Sequence, residues 1–172
     1  MTLQAKLDAF KADFEAGKPP YNVPRAVIET MHRATQELIS SGAAQRALKV
    51  GDQAPSFTLK DPEGNAVSSS ALLADGPVIV SFYRGVWCPY CNMDLQALEA
   101  ARPEFERLGA KLVAISPQSP VNSRKSMLPM PGRFVIAPDR TIVFAEVNPD
   151  YTHRPEPEAM LPALKKIARV AA

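Results

Sequence analysis

The sequence predicts an α/β fold in which helices cover a mixed β-sheet and a helical hairpin precedes the sheet. Three patterns predict it. Short apolar runs of strand length recur at 78–83, 111–116, 133–137 and 141–145. A helix-length stretch with one apolar stripe separates the first two runs, which makes a β-α-β unit. The first fifty residues carry apolar spacing of helical period and no strand-like run.

The elements follow in order. Leu3, Leu7, Phe10 and Phe14 fall on one helical stripe, with Thr2 placed to cap it and Gly17 to stop it. A second helix is predicted from Pro24, with Val27, Met31, Ala34 and Leu38 on one face and Gly42 beyond its end. Each stripe needs a partner, so the two read as a hairpin that packs on something else. Residues 50–55 form a linker into a short strand, Ser56–Leu59. Asp61-Pro-Glu-Gly-Asn65 is a turn, and Ala66–Ser68 the return strand. A helical turn at 70–74 leads to Val78–Tyr83, which is apolar almost throughout, as a strand covered on both faces would be. The next helix carries Leu95, Leu98, Phe105 and Leu108, with Pro103 inside it as an expected kink. Lys111–Ser116 closes the β-α-β unit with a parallel strand. A proline-rich link precedes two strands joined by Pro138-Asp139-Arg140, a β-hairpin. Met160, Leu164, Ile167 and Val170 mark a final helix. The expected organisation is a helical extension over 1–48 and one α/β domain over 49–172.

Composition bounds the function. The chain has 172 residues, 46% hydrophobic and 22% charged, and a net charge of +2. That balance fits a globular protein and gives no basic field for nucleic acid. No apolar stretch is long enough to span a membrane. The N-terminal residues lack the apolar core and cleavage pattern of a secretory signal, so the expected location is the cytoplasm. With two cysteines the chain has no disulfide framework.

Those two cysteines are Cys88 and Cys91, in Cys88-Pro-Tyr-Cys91, between the strand at 78–83 and the helix after it. Thiols two residues apart can close and reopen a disulfide. The thiolate is the nucleophile, and a helix N-terminus lowers a cysteine pKa. The expected nucleophile is Cys88, at the helix start, with Cys91 one turn in as the resolving thiol. Zinc is the weaker alternative, because His32 and His153 are distant in sequence. No metal and no cofactor are expected. A CxxC beside a β-α-β pattern reads as redox-active.

The order β-α-β then β-β-α, with CxxC at the first strand–helix junction, is the layout of a thioredoxin-like three-layer sandwich. Gly51-Asp-Gln-Ala-Pro-Ser-Phe-Thr-Leu59 and Val80-Ser-Phe-Tyr-Arg-Gly-Val-Trp-Cys-Pro-Tyr-Cys-Asn92 resemble the peroxiredoxin branch of that fold. The resemblance is closest to peroxiredoxin-like proteins of the alkyl hydroperoxide reductase/thiol-specific antioxidant family. It implies a thiol-dependent peroxidase with a Cys88–Cys91 disulfide cycle, antioxidant in effect. The substrate would be a hydroperoxide and the reductant a thioredoxin-like protein or glutathione. Two departures stand out. Typical members carry a hydroxyl residue three positions before the nucleophile and a proline seven before; here Gly85 and Ser81 stand there. The link between Ser116 and Arg133 is short and holds Pro117, Pro120, Pro129 and Pro131, where the family places a helix. The sheet face left open is expected to be covered by the N-terminal hairpin or by a second copy in a homodimer.

Cys-Pro-Tyr-Cys is also the motif of glutaredoxins, so a disulfide substrate and thiol–disulfide exchange are the alternative. A non-catalytic interaction module is the third reading. Further site residues are expected around the pair. Arg84 is placed to stabilise a thiolate, or else lies in solvent. Trp87, packed under the site, and Tyr90, exposed, are expected to contact substrate. By analogy with the fold, Pro131 is the candidate cis-proline that turns the backbone of Met130 toward the cysteines. Thr152 and His153 read as a surface loop, and Glu156 and Glu158 as acids at the start of the last helix.

Overall fold

The computed structural model describes residues 1–117 and 130–171, and side chains through Arg169. Its sheet has four strands in the order β4-β3-β5-β6. These are β3 (Val78–Phe82), β4 (Lys111–Ile115), β5 (Gly132–Ile136) and β6 (Ile142–Val147). β3 and β4 pair in parallel, with Val78 opposite Lys111, whereas β5 is antiparallel to both β3 and β6. The predicted mixed sheet is therefore present. Two short strands, β1 (Thr58–Lys60) and β2 (Ala66–Ser68), form a separate hairpin around the Asp61–Asn65 turn.

Among the described residues there are five α-helices: α1 (Leu3–Glu15), α2 (Arg25–Ser40), α3 (Ser69–Ala74), α4 (Pro89–Arg107) and α5 (Leu161–Ala171). The Thr2 hydroxyl accepts the Ala5 N–H at the start of α1, and Gly17 ends the turn after it at φ +67°. α4 continues through Pro103.

Alternation along β3 divides the core. Ile79 points to one face, where Leu98 and Phe105 of α4 and Leu164 of α5 bury it together with Val135. Val78 and Val80 point to the other, against Leu73 of α3, Ala54 and Ile136. Each fully buried Leu or Ile contributes about 1.5–3 kcal/mol relative to exposure.

The second face is closed only in part. Phe82 is 37% exposed at its open end and meets Phe134 edge to face at 6.0 Å. The expectation that the N-terminal hairpin lies over this face is not met. α1 packs on α4, on the opposite side of the sheet. Its stripe finds a better partner in the apolar turn around the cysteines than in the open end of β3. Residues 44–50, after the hairpin, reach Ala145 and Val147 of β6 and leave a groove of about 290 Å³. α2 turns Ile28 inward with Met31 and Leu38 half-buried, and leaves Val27 and Ala34 exposed, so two of the four predicted stripe residues lie on the covered face. The shortened link lies largely outside the described residues.

Candidate active site

β3 runs into the loop 83–88, and Cys88 is the N-cap of α4, with Pro89 at its first helical position. Proline suits that position because its missing N–H has no partner to lose. The motif therefore sits at a strand–helix junction, as predicted. Both cysteines are free thiols, Cys88 1% and Cys91 0% exposed.

Three charged side chains are buried beside them. Asp94 follows Cys91 by one turn of α4 and is 2% exposed. It accepts from Arg133 Nη2 of β5, and its second oxygen lies 3.4 Å from Arg154 Nε. Arg133 and Arg154 are 2% and 6% exposed. Arg154 is fixed further by bonds from Nη1 to the Tyr151 and His153 carbonyls, and Arg133 by one to the Pro155 carbonyl at 2.9 Å. Arg133 Nε has no partner among the described residues. Arg133 meets Asp94 and, across the β5–β6 ladder, lies opposite the half-buried Glu146, while Arg154 shares the Asp94 carboxylate and turns Nη2 toward a further acceptor.

Cys91 is that acceptor. Arg154 Nη2 lies 3.5 Å from its sulfur, and the Arg84 backbone N–H donates to it at 3.4 Å. The Cys88 S–H donates to it as well. Against the cost of burial, this bond, the Arg84 N–H and the Arg154 charge bring the Cys91 pKa down to about 6. Donation to Cys91 pushes the Cys88 pKa up, and burial adds to it. The Arg84 N–H and the Arg154 guanidinium thus lend Cys91 an electrostatic support that the helix-dipole argument, which favours Cys88, leaves out.

The other expected residues divide. Arg84 is 9% exposed, with its guanidinium 4.1 Å from the Tyr151 ring centre and 5.2 Å from that of Trp87. It is thus held at the site and is not free in solvent. Trp87 and Tyr90 exchange places relative to expectation. Trp87 is 49% exposed, on the loop before the helix. Tyr90 is 4% exposed and meets Phe10 of α1 at 5.0 Å and Tyr151 at 5.5 Å, both edge to face. The helix turn directs Tyr90 inward, where α1 covers it. Pro131 is buried and lines a water-sized crevice with Asp94, Arg133 and Arg154. The expected cis bond before it is absent; among the described residues the cis peptide is Pro19–Pro20. An X-Pro bond is trans unless tertiary contacts select otherwise. Met130 is half-buried and does not belong to the cluster packed on the sulfurs.

Sequence reasoning missed Arg154, Arg133 and Asp94. Asp94 gave a signal: it shares the apolar face of α4 with Cys91, Leu95 and Leu98, where a carboxylate needs a cation. Arg154 gave none, lying in a proline-rich loop. Glu156 was read as an acid for its own helix. Its carboxylate instead accepts the Leu3 and Gln4 N–H groups at 2.9 and 3.0 Å, capping α1. Thr152 of that loop is buried and bonded to Asp150.

Fold and site together define a thioredoxin-fold protein with a buried dithiol held among arginines. Residues 50–141 match the AhpC/TSA family, and the chain belongs to it. Over 66 residues, 38% of this chain and 30% of the relative, it is 38% identical to the chloroplastic peroxiredoxin Q of Oryza sativa subsp. japonica. Over 78 residues, 45% of this chain and 43% of the relative, it is 31% identical to the thiol-disulfide oxidoreductase ResA of Halalkalibacterium halodurans. The chain thus matches less than half the length of either. The crystal structure of peroxidoxin BcpB from Mycobacterium tuberculosis shares the fold, with a TM-score of 0.57 at 22% identity over 73% of this chain and 99% of that one.

Proposed function

We propose that the protein is a thiol-dependent peroxidase in which Cys88 and Cys91 cycle between dithiol and disulfide. The observation that carries this reading is the pair of buried free thiols at the strand–helix junction, with the Arg154 guanidinium 3.5 Å from the Cys91 sulfur. The thiolate sulfur forms an S–O bond with the hydroperoxide as the O–O bond breaks. The departing oxygen takes a proton and leaves as alcohol or water. Sulfur is oxidised to a sulfenic acid and the peroxide is reduced by the same two electrons. The second sulfur then attacks, the S–S bond forms and water leaves. An external dithiol, such as a thioredoxin-like protein, or two glutathiones return two electrons by thiol–disulfide exchange. The arginine charges of the site favour the anionic sulfur before attack and the developing oxyanion during it. Such a cycle suits a compartment that keeps thiols reduced, which favours the cytoplasm.

Thiol–disulfide exchange is the second reading. The Cys-Pro-Tyr-Cys motif, Gly85 and the ResA relative favour it. Stopped-flow fluorescence of the reduced protein against hydrogen peroxide separates the two. Trp87, the only tryptophan, adjoins the pair. A change whose rate is linear in peroxide, lost when the attacking cysteine is replaced and retained without its disulfide-forming phase when the resolving one is, in Cys88→Ser and Cys91→Ser, is the expected result. No such change, beside fast exchange with oxidised glutathione or thioredoxin, overturns the peroxidase reading in favour of the second.

A further inference from the structure

The side chains that bury the two sulfurs come from the other end of the chain. Leu3 and Leu7 of α1, 4% and 0% exposed, pack with Cys88, Tyr90 and Cys91 in one cluster, and Phe10 joins them. Phe10 also meets Tyr90 and Tyr21 edge to face, at 5.0 and 5.5 Å.

The helix is fastened at one end. Glu156 accepts the first two N–H groups of α1, the Gln4 amide oxygen accepts the Arg154 N–H at 3.0 Å, and Lys11 lies 3.9 Å from Asp150. All these ties run to the segment 150–156, which also places Arg154 on Cys91. Few of them lie in the core. The Glu156 carboxylate is partly exposed, and Lys11 and Asp150 keep about a third and a quarter of their side-chain surface. A cover held by an apolar stripe and such ties opens at far lower cost than the sheet unfolds.

We propose that α1 is the size filter of the thiol pair: closed, it excludes polypeptide disulfides and other bulky oxidants from Cys88 and Cys91 and leaves them to small hydroperoxides. The proposal rests on the reading of this pair as the redox centre and names its substrate class. It assigns specificity to Leu7 and Phe10, which take no part in bond making.

The test compares two oxidants on the fully reduced protein. Hydrogen peroxide is the small one. Dithiobis-nitrobenzoate, an aryl disulfide, is the bulky one. With the latter, a protein thiolate displaces one thionitrobenzoate anion to give a mixed disulfide, and the second protein thiol displaces the other as the Cys88–Cys91 bond closes. The folded wild type is expected to react with the aryl disulfide at least about tenfold more slowly than the same protein in urea. Leu7→Ala, which removes a fully buried side chain, is expected to raise the ratio of aryl-disulfide to peroxide rate about tenfold or more. Glu156→Ala removes both acceptors at the start of α1 without touching the cluster. It is expected to raise the ratio in the same direction, and it carries the test if circular dichroism shows Leu7→Ala unfolded. A wild type that reacts as fast folded as unfolded, or a ratio unmoved in the folded variants, overturns the proposal. A protein inert to peroxide in every variant overturns the peroxidase reading alone, because the aryl-disulfide rates still report on the cover.

Discussion

The two faces of the sheet at the Phe82 end contrast sharply. On the α4 side, Arg133, Asp94 and Arg154 are 2% to 6% exposed. On the other, Phe82 and Phe134 meet edge to face with Phe82 37% exposed. The usual arrangement, apolar within and charged without, is inverted over the thickness of one sheet. Ser81 and Phe82 are neighbours in β3, yet the serine is 2% exposed and the phenylalanine is half open. The inversion teaches where this molecule uses its burial. Charges taken out of water are costly unless paired, so their retention beside two thiols points to electrostatic control of sulfur chemistry.

The largest break in the contrast comes from Asp94→Ala. It removes the carboxylate that Arg133 and Arg154 share, and a loss of about 3–5 kcal/mol is expected in urea unfolding of the reduced protein. A loss below about 1 kcal/mol would mean that water already reaches the cluster.

The second effect is on proton binding. The thiolate absorbance of the reduced protein near 240 nm should titrate with a midpoint near pH 6. Cys88→Ser keeps a hydrogen-bond donor and should keep the step, while Cys91→Ser should abolish it. Arg154→Gln should raise the midpoint by about 1–3 units. A step retained in Cys91→Ser would return the charge to Cys88. The sign carries into stability. The folded pKa of Cys91 lies below the ordinary 9.0, so its contribution is complete above pH 9 and is lost as pH falls through 6. Cys88 acts oppositely, because its folded pKa is raised and its contribution is lost above pH 9. Urea unfolding of the reduced protein should therefore show stability rising from pH 6 to 9 and turning over beyond.

The contrast also marks how much was readable beforehand. Strands and helices came from apolar spacing, which reports the α4 side of the sheet well: Leu98, Phe105 and Leu164 lie on predicted stripes and are fully buried. The motif at 88–91 was legible because chemistry and element boundary coincide there. The partners of the sulfurs were not. Arg154 approaches Cys91 only through tertiary folding, from 63 residues away, and nothing in its loop signals burial. The expected order of Trp87 and Tyr90 is reversed, since which of them is covered depends on where α1 docks. The dipole argument for Cys88 is incomplete for the same reason: it counts the local helix and omits a distant guanidinium.

The smallest effect belongs to the open face. Phe82→Ser removes an aromatic edge contact and a ring that already keeps over a third of its surface in water. Ring pairs contribute about 0.5–1.5 kcal/mol beyond burial, and over a third of this residue's burial is missing to begin with. A destabilisation near the lower end of that range is expected in urea, with the 240 nm midpoint of Cys91 unmoved, because the substitution lies across the sheet from Arg154. A midpoint displaced by Phe82→Ser would show that the two faces are not independent and that the open face helps set the geometry of β3 at Ser81.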